Sequence, residues 1–237
     1  MPSWNIHLAQ AEAALREAAA SDLGIEDENA FLFGNLVPDV YVGYMVLPLP
    51  YRIGYCETHF ADPGHVPEPR YWEFWERFGL PSADEHGRVS DVVLGAWCHL
   101  LADNVYNHNV NVFRQAHGIP RGEETRIRKQ ADFELFGRTL ELSRTCHETE
   151  WLKEEALAFP QYGIYPDELR LSIQVANQMV LDNQLGRPQG RPSYSMLTAE
   201  LFDQTFDEVL SLMVAGLKAY AHEGASAPEL KEERPHA

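Results

Sequence analysis

His99 and Asp103 stand four residues apart in Asp-Val-Val-Leu-Gly-Ala-Trp-Cys-His-Leu-Leu-Ala-Asp-Asn-Val-Tyr-Asn-His, residues 91 to 108. Side chains at i and i+4 of a helix lie about 5–6 Å apart on one face, so this imidazole and carboxylate can converge on one cation. Val92, Val93, Ala96, Trp97, Leu100 and Leu101 recur at helical spacing beside them. Ligand-type residues next to such an apolar stripe are costly to bury unless something binds them. A divalent metal answers that cost, and so does a hydrogen-bonded core pair. This stretch alone leaves both open. His108 follows little more than a turn later, tilted towards the same cavity.

Three further segments carry residues of the same kind. His7 shares a helix face with Ala11, Ala14 and Ala18, whose small side chains let neighbours approach closely. Asp39 closes Gly-Asn-Leu-Val-Pro-Asp, and His59 stands in Glu-Thr-His-Phe-Ala-Asp-Pro-Gly. Imidazole and carboxylate together suit zinc, with manganese or iron also compatible.

Taken together these segments resemble the bacterial zinc-dependent phospholipase C family, whose all-helical fold is shared with single-strand-specific zinc nucleases. The resemblance covers about residues 4 to 132 and rests on His7, Pro38-Asp39, Thr-His-Phe-Ala-Asp-Pro around His59, and His99 to Asp103 followed by His108. It implies that Asp39, His59, His99 and Asp103 hold one metal. Asp103 would bridge to a second metal bound by His7, and His108 would serve a third. Asp39 would also be the general base that orients an attacking water.

The chain departs from the family in two places. A Trp exposed by processing supplies its amino group and carbonyl in the secreted enzymes, whereas Trp4 is internal here. A His and a Glu four apart complete the family's third site, and Glu124 and Arg128 occupy those positions. A guanidinium cannot ligate a metal. The expectation is therefore one or two zinc ions. Arg128, with Arg126 or Lys129, would either pair with a substrate phosphate or belong to a solvated helix face.

The elements around these residues read as all-α, with no strand series and no internal repeat. Helices are expected at Ser3 to Ala20, Glu28 to Leu36, Arg70 to Phe78, 91 to Ala116, Glu123 to Cys146, Glu148 to Phe159, Pro166 to Leu185 and Tyr194 to Ala221. Six prolines between 38 and 69 exclude a long helix there and predict an ordered functional loop. Tyr71, Phe74, Trp75 and Phe78 read as a core stripe. Asp62 is expected to cap the loop backbone, and His147 a helix end, while His65, His86 and His117 are expected at the surface. The reading is one helical domain over 1–222, with a polar, disordered tail over 223–237.

A net charge of −17 argues against a nucleic-acid or anionic-membrane surface, since phosphate contacts need excess Lys and Arg. It leaves room for a phosphate-ester substrate, because bound cations reverse the local sign. No apolar run approaches the roughly 20 residues that span a bilayer. Cys56, Cys98 and Cys146 are odd in number and widely spaced, and no basic segment precedes an apolar run at the N-terminus. These features predict free thiols and a cytoplasmic protein. The expected function is hydrolysis of a small phosphate-ester or phospholipid-type substrate by metal-activated water. The alternative is a non-catalytic metal-binding protein whose cleft takes a ligand or partner. Neither the leaving group nor the oligomeric state is legible.

Overall fold

Gly34 and Gly95 are the points at which two helices cross backbone to backbone. A Cβ on Gly34 would lie 2.5 Å from the Val92 carbonyl oxygen, and one on Gly95 would lie 2.4 Å from that of Phe31. Only glycine permits that approach, and the site is built on it.

The computed structural model of the chain describes residues 2–233. In chain order the helices are α1 (Trp4–Glu17), α2 (Glu28–Gly34), α3 (Val37–Val40), α4 (Tyr55–Thr58), α5 (Tyr71–Phe74) and α6 (Asp91–Ala116). Then follow α7 (Glu123–Thr139), α8 (Glu150–Leu157), α9 (Pro166–Gly186), α10 (Ala199–Glu223) and α11 (Pro228–Lys231). The fold is all-α, with no strand among the described residues.

The helix α6 is the axis. Its N-terminus is capped by the Ser90 hydroxyl, which accepts from Val93 N at 3.2 Å. From Asp91 to Asn107 every one of its side chains is buried, so it is surrounded on all sides. The helices α1, α2, α3, α5, α8 and α10 pack around it. Asp91 fastens α2 to its start by accepting from Glu26 N and Asp27 N.

Several helix ends differ from those expected, and each difference has a long-range cause. The helix α7 stops at Thr139 rather than Cys146. Residues 140–149 run without helix because other elements satisfy their backbone. Glu12 of α1 accepts from Ser143 N and Arg144 N, Asn183 from Leu142 N, and Asn177 from Cys146 N. The helix α10 begins at Ala199 rather than Tyr194, because the Asp132 carboxylate takes the amides of Ser195, Met196 and Leu197. At the first helix Ser3 is the N-cap residue but makes no side-chain capping bond, and the helix ends at Glu17 rather than Ala20. Between 38 and 69 the chain holds only the short α3 and α4 among the helices.

The expected disordered tail is corrected by what the aromatic stripe needs. Tyr71, Phe74 and Trp75 are buried as expected, and a buried indole N–H requires an acceptor. Trp75 Nε1 donates to Ala225 O at 2.9 Å, Trp97 Nε1 to Leu230 O at 3.0 Å, and Tyr71 OH to Glu232 O at 3.1 Å. Gly224–Ser226 and Pro228–Lys231 are thereby held in helical turns, with Leu230 in the core. Residues 234–237 of the expected tail lie outside the described residues. Among the described residues no helix is long and apolar enough to cross a membrane.

Candidate metal centre

The close crossing of α2 and α6 carries the Asn35 carbonyl, just beyond α2, to His99, one turn after Gly95. His99 Nδ1 lies 2.8 Å from that oxygen. A carbonyl only accepts, so Nδ1 carries the ring proton and Nε2 presents a lone pair.

His59 is fixed in the same sense by a different route. At the end of α4 the Thr58 hydroxyl donates to Tyr55 O at 3.2 Å, and its oxygen lies 2.7 Å from His59 Nδ1. With the hydroxyl proton assigned to Tyr55 O, the Thr58 oxygen accepts from Nδ1–H. His59 Nε2 is then also a lone pair, and it sits 3.1 Å from His99 Nε2. Two acceptor lone pairs at that distance repel unless a cation lies against both.

The carboxylates complete the arrangement. His59 Nε2 lies 3.6 Å from Asp39 Oδ1 and 3.6 Å from Asp103 Oδ2, and His7 Nε2 lies 3.3 Å from Asp103 Oδ1. The last contact is not aligned as a hydrogen bond. Both nitrogens of His7, Asp103 Oδ1 and Asp39 Oδ1 are buried atoms without a hydrogen-bond partner among the described residues. Native interiors rarely leave such atoms unpaired. His7, Asp39, His59, His99 and Asp103 are each at most 2% exposed. His7, His99 and Asp103 place ligand atoms within 4.8 Å of one another, and so do Asp39, His59 and His99. These buried His and Asp groups fit a metal ion.

Neighbours hold the set in place. Tyr55 OH donates to Asp103 Oδ2 at 2.8 Å, and its ring stacks on His59 at 3.9 Å. His7 stacks on His99 at 3.7 Å. Trp4 Nε1 donates to Asp39 Oδ2 at 3.1 Å. Pro38 sits in the first turn of α3, where its missing N–H costs nothing, and Tyr162 OH ties that turn down through Val37 O at 3.0 Å.

Electrostatics favours ligation. Burial, with the His7 charge adding, pulls His99 down to about 4, and burial holds His59 well below the usual imidazole range. Both imidazoles are therefore neutral ligands at neutral pH. Burial raises Asp39 to about 6. Burial would raise Asp103 too, but the His7 contact and the nearby imidazoles outweigh it and hold its carboxyl below the usual range.

Of the residues expected at the site, His7, Asp39, His59, His99 and Asp103 are brought together. His108 is not: it pairs with Glu68 Oε2 at 3.2 Å, outside both groups. Glu124 is exposed, and Arg128 donates to Ser195 O instead of facing the cluster. Asp62 makes an ion pair with Arg70 rather than capping a loop. His147 is exposed, and its backbone is held by Asn29.

Sequence reasoning missed the partners Asn35, Thr58, Tyr55 and Trp4. Tyr55, four residues before His59, had a spacing signal. Asn35 acts through its backbone and had none.

A cavity of about 900 Å³ reaches this centre at Asp39, with Trp4 and Tyr55 beside it in the wall. Charged side chains of both signs line it as well: Arg126, Lys129, Arg138 and Arg187, with Glu134 and Asp182 among them. No protein-family model, no curated protein and no solved structure matches this chain.

Proposed function

We propose that the chain is a metal-dependent hydrolase of phosphoric esters, with zinc held by Asp39, His59, His99 and Asp103. The observation that carries the metal is the opposed pair of His59 and His99 lone pairs, 3.1 Å apart and flanked by orphaned carboxylate oxygens. The single free lone pair of His99 is common to both ligand groups, so it serves one ion, and that ion is the firmly held one. His7 with Asp103 is left for a second. A bound divalent cation supplies a lowered pKa for water and charge against a phosphoryl oxygen.

The chain's own residues supply the rest. Asp39 is the member of the set that opens on the cavity. Trp4 donates to its Oδ2 and so fixes the carboxylate at the cavity, where it would take a proton from a water molecule. Tyr55 keeps Asp103 and His59 in place, and the wall offers cationic side chains, set among Glu134 and Asp182, that can meet an anionic substrate despite the net charge of −17.

A second reading is favoured by the depth of the set. His7, His59, His99 and Asp103 are all but inaccessible, as expected of a metal that stabilises the fold and does no chemistry.

Elemental analysis of untagged protein, with Asp103→Ala beside wild type, tests the metal. One to two zinc ions per chain, lost in the variant, are expected. Absence of stoichiometric metal after reconstitution would remove both readings. Turnover of phosphate mono- and diesters by the loaded protein separates them: the hydrolase turns over and loses activity with Asp39→Asn, whereas the structural metal protein does not turn over.

A further inference from the structure

The cavity face of α7 reads Arg126, Gln130, Glu134 and Arg138, four apart, with Lys129 three residues after Arg126. Among these Lys129 is unusual, for it is 2% exposed and yet lines the cavity. Its Nζ donates to Asn107 Oδ1 at 3.0 Å and lies 5.5 Å from the centre of the Phe133 ring. Asn107 is in turn oriented by its own donation to Pro67 O at 2.7 Å. No ion pair joins Lys129 to a carboxylate among the described residues. Burying an ammonium in this way costs several kcal/mol unless further acceptors reach it; the bond to Asn107 uses one of its three donors, and the Asp103 carboxylate favours its charge from a distance.

Its place relative to the metal centre follows from α6. Asn107 stands four residues after Asp103 on that helix, hence one turn along the same face. The ammonium is thus stationed about a helical turn from the Asp103 carboxylate, at the inner wall of the cavity that opens on Asp39.

We propose that Lys129, held by Asn107, is the anion-binding residue of this cavity and takes an oxyanion oxygen of the phosphate group presented to the metal centre. The proposal rests on the hydrolase reading for the nature of that anion. A positively charged donor in a low-dielectric wall binds an oxyanion more strongly than an exposed arginine does. Arg128 lies on a different face of α7, bonded to Ser195 O, and has no such role.

Inorganic phosphate is the probe, titrated calorimetrically into zinc-loaded and metal-free protein. Lys129→Met and Lys129→Gln are expected to weaken phosphate binding by about tenfold or more, with zinc stoichiometry unchanged and Arg128→Ala like wild type. Wild-type affinity in the Lys129 variants overturns the proposal, as does wild-type protein that binds zinc but no phosphate. The latter result leaves the hydrolase reading standing. Lys129-dependent phosphate binding with no ester turnover does the reverse: the anion site stands and the hydrolase reading falls. Should both variants fail to fold, the ¹⁵N resonance of the Lys129 ammonium in wild type decides. It shifts on adding phosphate if the proposal is right, and stays still if it is wrong.

Discussion

The Nε2 atoms of His59 and His99 face each other at 3.1 Å, each left without a proton by the acceptor bound to the opposite ring nitrogen. One acceptor is a hydroxyl on the neighbouring residue, and the other is a main-chain carbonyl 64 positions away. The first can be removed without disturbing the crossing of α2 and α6.

Thr58→Val is therefore expected to weaken zinc binding by about 10–100-fold, the usual effect of removing a partner that orients a ligand imidazole. Valine preserves the volume, so the helical circular dichroism of the loaded protein should match wild type. Competition against a chromogenic chelator measures the affinity. Unchanged affinity would mean that Thr58 does not set the His59 tautomer.

Gly95→Ala tests the crossing. The added methyl would meet the Phe31 carbonyl at 2.4 Å, and backbone on both sides offers no flexible end to yield. A loss of about 1–3 kcal/mol in urea unfolding is expected. Because the Asn35 carbonyl is displaced with α2, zinc affinity should fall as well. A variant as stable as wild type would show that α2 and α6 do not depend on this contact.

Glu155 gives a pH dependence away from the metal. Burial, with the charges of Asp91 and Asp27 adding, raises its carboxyl from 4.5 to about 7 against the hydrogen bond from Val92 N. The folded value exceeds the unfolded one, so the group's stabilising contribution is whole below pH 4.5 and is lost as pH rises through about 7. Glu155→Gln cannot ionise and keeps an oxygen for Val92 N. It should match wild type near pH 5 and exceed it by roughly 2 kcal/mol at pH 8. Equal stability of the two proteins at both values of pH would show that the carboxyl titrates normally.

Glu12 is wholly buried and serves residues far along the chain, accepting from Ser143 N, Ser143 Oγ and Arg144 N. Glu12→Ala leaves the amides of Ser143 and Arg144 without this acceptor, at a cost of about 0.5–1.5 kcal/mol each. The expected result is early amide exchange across 140–149 together with a lower melting temperature. Exchange confined to the wild-type pattern would show that this segment holds itself.

The all-helical class, the position of α6 and the pairing of His99 with Asp103 were legible because they depend on local periodicity. Four-residue spacing puts His99 and Asp103 on one helix face wherever the helix lies. The gathering of His7, Asp39 and His59 with them came from a resemblance of motifs, and no spacing within one helix could supply it.

What only the tertiary structure decided is where backbone groups find partners outside their own element. Glu12 and Asp132 end or delay helices that apolar patterning alone continues, because a buried carboxylate taking two or three amides outweighs a turn of helix. His108 and Arg128 have the right chemistry for the site, yet their helix faces turn them to Glu68 and Ser195. Lys129, one position from Arg128, is carried into the cavity wall by the rotation of about 100° that separates helical neighbours. The sequence by itself determined which residues could bind a cation and an anion. The packing of α2, α6 and α7 decided which of them do face each other, since that depends on backbone approach at Gly34 and Gly95 that no side-chain pattern records.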